Sequence, residues 1–200
     1  MEDQKLSALS RNTSNRLRAI LVLLILLCTP PAFAKDKLVR AHWIQWDHRT
    51  HLKKRLPLET AKAYAKSIEK WCKVYKVDPD WITAICTRES HWDTLAVDHC
   101  STPGAGIPQV QVDTAQMVVN SWGNGKNFIV TADSLNDYPG LAIRIACCHF
   151  RHLMRHYKGD TILAIRAYHS GEGRVKAEGG LQGMKYFKDV LRQYELYKMN

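Results

Sequence analysis

The first residue able to do chemistry is a carboxylate that sits out of pattern. After Asp78-Pro79, the side chains of Ile82, Ile85, Cys86 and Glu89 recur on one side of an expected helix, while Arg88 is turned away from them. An acid thus occupies the next place of an apolar stripe, although Glu is rarely buried without a partner. Burial disfavours the charged form, and the C-terminal end of a helix adds negative potential, so both effects would hold a proton on Glu89. A carboxyl group kept neutral near pH 7 is what general-acid cleavage of a glycosidic bond requires. The alternative is a glutamate at the rim of the stripe with its head in solvent.

Two other groups invite chemistry. His149, His152 and His156 align on one helical face, which suggests metal ligation. That face points away from the apolar stripe, so a hydrated basic surface is the expectation. The chain has six cysteines. No Cys-x-x-Cys pair exists, which argues against a zinc ribbon or a thioredoxin-like role. Cys72 and Cys86 fall on apolar faces, as core thiols do. Cys147 lies on a core stripe and Cys148 does not, so a disulfide from this helix would join Cys148 to Cys100.

The elements that position these residues read as helices. From Pro57 onward, Ala61, Tyr64, Ala65, Ile68, Trp71, Cys72 and Tyr75 keep helical spacing, with Lys62, Lys66, Lys70 and Lys73 off that stripe. Asp78 is an N-cap and Pro79 suits the first turn of the helix that carries Glu89 to about Ser90. Further helices are expected near Asp113–Ser121, Pro139–Tyr157, Thr161–His169 and Gly183–Lys198. In the longest, Ile143, Cys147, Phe150, Met154 and Tyr157 form the core face. No strand of useful length and no internal repeat is visible, so the fold class is all-α.

The chain's N-terminus has the layout of a secretory leader. Arg16 and Arg18 precede an apolar run from Ala19 to Cys28, and Ala32-Phe33-Ala34 offers a cleavage site. The run is too short for a spanning helix, and Leu27 stands where a lipoprotein signal wants a small residue. Residues 1–34 are therefore expected to be a signal peptide, residues 35–56 an N-terminal arm, and residues 57–200 the catalytic domain. Removing the leader leaves 25 basic against 17 acidic side chains, a net charge of +8. A basic surface suits a polyanion. Export and the lack of a helix-turn-helix argue against nucleic acid. Five cysteines remain, enough for two disulfides and one free thiol in an oxidising compartment.

Three further segments complete a pattern. Gly104-Ala105-Gly106-Ile107-Pro108-Gln109 follows the Glu89-Ser90 pair, then Ala167-Tyr168-His169-Ser170-Gly171-Glu172-Gly173-Arg174-Val175, then Tyr186-Phe187-Lys188-Asp189-Val190-Leu191. In this order and spacing they resemble the soluble lytic transglycosylase (SLT) family, whose catalytic domain is related to goose-type lysozyme. The resemblance covers roughly residues 57–198.

The resemblance implies a lysozyme-like helical domain acting on peptidoglycan, at the β-1,4 bond between N-acetylmuramic acid and N-acetylglucosamine. Glu89 would protonate the leaving oxygen and then act as base on the muramic acid 6-hydroxyl, giving a 1,6-anhydro product with no metal or organic cofactor. Ser90 completes the acid's motif, Gln109 would line the sugar groove, and Tyr168 would sit near the acid. The glycines at 104, 106, 171 and 173 would admit the glycan closely, or simply make turns. Short single-domain members often serve a secretion, conjugation or phage apparatus, which is the partner class implied besides the glycan strands.

The sequence departs from the family pattern at His169, Ser170, Pro108 and Gln182, which replace Asn, Ala, Met and an acid. Asp98 aligns with a helper serine, where a second carboxylate would permit lysozyme-like hydrolysis. A hydrolytic muramidase and a wall-binding protein with a degenerate site are the rival readings.

Overall fold

The computed structural model describes residues 37–96, 103–123, 128–177 and 182–199. The expected leader, Asp98 and Cys100 lie outside the described residues. Helix α1 spans Lys37–Leu52, α2 Leu58–Tyr75, α3 Pro79–Ser90, α4 Val112–Asn120, α5 Ala132–Asp137, α6 Pro139–His156, α7 Thr161–Ser170, α8 Glu172–Ala177 and α9 Met184–Met199. The all-α expectation holds. The described residues add one short antiparallel pairing, β1 (Gly104–Ala105) against β2 (Val110–Gln111), with Ala105 opposite Val110. Strands of two residues leave no alternating pattern to read. Among the described residues, no helix is long and apolar enough to cross a membrane.

Helix α1 is the main difference from the sequence expectation, which made residues 35–56 an arm. Its buried face is Arg40, Ala41, Trp43, Ile44, Asp47 and His48, half of it polar. A helix that buries charge against charge carries little apolar periodicity, so its pattern is not visible in one dimension. Arg40 is wholly buried and locks α1 to the elements beside it. Its Nε donates to Glu69 Oε1 on α2 at 3.0 Å, and its Nη2 pairs with the buried Asp80 on α3 at 3.1 Å. Nη1 also donates to Pro79 O at 3.2 Å and to the Thr83 hydroxyl. Lys198, near the end of α9, makes a second ion pair with Asp80.

Helix α3 begins as its sequence dictates. The Asp78 side chain accepts a hydrogen bond from Asp80 N at 2.9 Å, with Pro79 in the first turn. It packs on α9, while α2 packs on both α1 and α6. The stripe predicted for α2 is the observed one, with Ala61, Ala65 and Ile68 fully buried.

Helix α6 lies between two apolar clusters. Ile143, Cys147 and Phe150 face the larger one, built from α1, α2, α3, α7 and α9, as predicted. Ala142, Ile145 and Ala146 face a second cluster formed with α4, α5 and the hairpin. The short helices α5 and α8 were not expected. Helix α5 starts with a capping box in which Thr131 and Ser134 exchange side-chain and backbone hydrogen bonds.

All four described cysteines are free thiols. Cys72 and Cys147 sit buried with their Sγ atoms 3.6 Å apart, so the predicted core positions of Cys72, Cys86 and Cys147 hold.

Candidate active site

Helix α3 carries Glu89 in its last turn, above the fully buried Ile82, Ile85 and Cys86, and Glu89 itself is half-buried. Arg88 points elsewhere, as the helical spacing requires, and its Nε meets Asp189 Oδ2 at 3.3 Å.

A direct partner of Glu89 comes from the other end of the domain. Tyr186, in the first turn of α9, donates its phenol proton to Glu89 Oε1 at 2.5 Å. Burial, then the Glu89 charge and the hydrogen bond to it, push the Tyr186 phenol well above its ordinary pKa. The phenol therefore keeps its proton near neutral pH and can donate. The exposed His169 ring stacks on Tyr186, with centroids 4.4 Å apart and planes 8° apart. The Arg88 guanidinium stands 5.8 Å from the centre of the same ring. Sequence reading placed Tyr186 only in the closing motif. Its signal was there, since Tyr186, Val190 and Tyr197 mark the buried face of α9.

Tyr168, on α7, packs against both apolar clusters. Burial, followed by the nearby Cys86, Glu89 and Cys147 groups, raises its phenol well above the usual value. Its neighbourhood is thus that of the acid, but its hydroxyl donates to Pro108 O at 3.0 Å. This bond ties α7 to the 106–109 turn. Burial first and the Glu89 charge second keep the Cys86 thiol neutral as well.

Ser90 and Gln109 serve the backbone here. The buried Ser90 hydroxyl donates to Cys86 O at 3.4 Å and accepts from Trp92 N at 3.1 Å, which fixes the chain just after Glu89. Gln109, left-handed at φ 47°, donates its amide to Ala96 O at 3.1 Å and to Gly106 O at 2.9 Å. It thereby fastens Ala96 to the hairpin turn. The glycines of that turn are needed for packing. Gly106 has φ +68°, and a Cβ there would lie 2.6 Å from Leu135 O; one on Gly104 would lie 2.2 Å from Gln109 O. At Gln182, a departure from the family pattern, the backbone carbonyl accepts from Arg166 Nε at 2.7 Å.

The histidine face of α6 corrects one expectation. His152 and His156 are exposed and face Glu172 at 2.8 and 3.7 Å. His149 is half-buried and only partly hydrated. Its ring lies 5.4 Å from that of Tyr168, and burial, followed by the charge of His152, lowers its pKa to about 4. The helical wheel misses this because Tyr168 of α7 lies against the His149 end of a face that a lone helix would expose.

Fold and site together define a lysozyme-like helical domain with one glutamate at the end of a buried helix. Residues 66–194 match the transglycosylase SLT domain, and the chain belongs to that family. The fold is similar to that of the 70 kDa soluble lytic transglycosylase of Escherichia coli. That match has 20% identity and a TM-score of 0.61, covering 80% of this chain and 29% of that one. An inactive mutant of the lytic transglycosylase Slt of Pseudomonas aeruginosa, with glutamate replaced by glutamine, matches at 18% identity and a TM-score of 0.58. It covers 84% of this chain and 31% of its own. The chain thus spans less than a third of the length of these two enzymes. No curated protein matches the chain by sequence.

Proposed function

We propose that this chain is an exported peptidoglycan lytic transglycosylase in which Glu89 is the single general acid and base. The observation that carries the reading is the Glu89–Tyr186 pair at the end of α3, inside a domain of the SLT family. The Tyr186 phenol donates to one carboxylate oxygen of Glu89, Oε1. Glu89 gives its proton to the glycosidic oxygen as positive charge develops on the muramic acid ring. It is then ionised, and the Tyr186 hydrogen bond stabilises that form. The same carboxylate takes the proton of the 6-hydroxyl as that oxygen attacks the anomeric carbon, closing the 1,6-anhydro ring without added water. One acid thus serves two steps, unlike the paired carboxylates of most glycoside hydrolases. That the matched Pseudomonas enzyme is inactive with a glutamate changed to glutamine supports giving this role to an acid.

Export rests on the Arg16–Ala34 leader pattern, and a net charge of +8 after its removal suits the polyanionic wall. A wall-opening role for an envelope-spanning apparatus is the partner class that the family resemblance implies. Digestion of purified sacculi, with mass spectrometry of the products, tests the reading. Anhydro ends that vanish in Glu89→Gln are expected. Reducing ends would identify a hydrolytic muramidase, and wall binding with no cleavage a degenerate site.

A further inference from the structure

Asp47, His51 and His91 form a cluster that the glycan chemistry does not use. Asp47 lies on α1 with its side chain fully buried, and His51 follows one turn later on the same face. His91 is the residue after α3, in the left-handed conformation at φ 49°, which swings its ring toward α1. His51 Nδ1 is 2.9 Å from Asp47 Oδ1, and His91 Nδ1 is 3.1 Å from Asp47 Oδ2. The two imidazoles are stacked, 3.8 Å between centroids and 14° between planes. One candidate ligand atom from each residue falls within 4.8 Å of the others.

We infer that Asp47, His51 and His91 bind a divalent transition metal ion, zinc being the best match, that clasps α1 to the turn after Glu89. Three observations carry this. Both Nδ1 atoms converge on one carboxylate, so three donors point at a common place. With Asp47 Oδ1 as the shared oxygen, the His51 and His91 Nδ1 atoms stand 2.9 and 3.4 Å from it, close to the roughly 3.3 Å between neighbouring ligand atoms in a tetrahedral site with bonds of about 2.0–2.1 Å. Two imidazoles and one carboxylate are also a donor set that suits zinc. A buried carboxylate needs a counter-charge. One dication supplies that charge. The His51 and His91 side chains are 40% and 29% exposed, so the ion can enter from solvent and keep a water as its fourth ligand. The site binds two segments that only the fold brings together, and the proposal does not depend on what Glu89 does.

The test uses the full chain, stripped with a chelator and titrated with Co²⁺ and with Zn²⁺. A tetrahedral cobalt absorption saturating at one equivalent is expected. Zinc at a hundredfold excess over Kd should raise Tm by about 5–10 °C. His51→Ala, at a partly exposed position that tolerates truncation, should weaken binding at least about tenfold. His152→Ala, in the other histidine–carboxylate group, should not change it. A readout that needs no variant is the Nδ1 chemical shift of His51 and His91, which zinc should move while leaving His152 in place. No cobalt spectrum at millimolar metal, unchanged binding in His51→Ala, or binding that follows His152 would each overturn the proposal.

Discussion

Tyr186 and Glu89 stand 97 residues apart in the chain and meet through one 2.5 Å hydrogen bond from phenol to carboxylate. The bond links the last turn of α3 to the first turn of α9, two helices packed along each other. Removing it in Tyr186→Phe deletes a donor to a charged group, an interaction whose loss lowers wall cleavage by roughly 10–100-fold. A phenol donor favours the ionised carboxylate. The variant should therefore keep its acid protonated to higher pH, moving the alkaline limb of the pH–rate profile upward. Tyr168→Phe leaves the Pro108 carbonyl short of a donor and should cost about 1–3 kcal/mol of stability without that shift. Identical pH profiles for wild type and Tyr186→Phe would refute the positioning role.

Glu89→Gln keeps shape and removes the transferable proton. Sacculus clearance should fall at least about 100-fold, the usual minimum contribution of a general acid. Thermal stability should stay within a few degrees of wild type, since the side chain is half-buried and at a helix end. Retained clearance would eliminate Glu89 as the acid.

Arg40→Ala should destabilise the fold by roughly 2–5 kcal/mol, because it empties a fully buried position, leaves Lys198 as the remaining cation on the buried Asp80 and frees α1. Urea denaturation measures this. A loss under 1 kcal/mol would mean that α1 is held by its apolar contacts instead.

His149 gives the fold a pH dependence of known sign. Its pKa falls from the ordinary 6.5 to about 4 on folding, so between these values the unfolded chain binds more protons. Stability is complete above about 6.5 and is lost as pH falls toward 4, by an amount on the order of 3 kcal/mol. His149→Gln should flatten that slope in chemical denaturation between pH 4 and 7. An unchanged slope would place the effect on another group.

The sequence by itself determined the helices whose burial is apolar. The stripes of α2 and α6 and the Asp78-Pro79 start of α3 follow from side-chain periodicity and capping, which are local. It also placed Glu89 at the top of a greasy seam, because a carboxylate interrupting such a stripe is visible in one dimension. Tertiary structure decided the rest. Arg40 and His48 look like surface residues until ion pairs and hydrogen bonds with α2, α3 and nearby backbone make their burial tolerable, so α1 has no readable pattern. The His149 pKa falls because burial beside Tyr168 of α7 disfavours its charged form. Tyr186, and not Tyr168, holds the acid, since which of two distant phenols reaches a carboxylate depends on how α7 and α9 pack. Periodicity says which side of a helix faces inward, while the identity of the atom waiting there is fixed by elements far away in the chain.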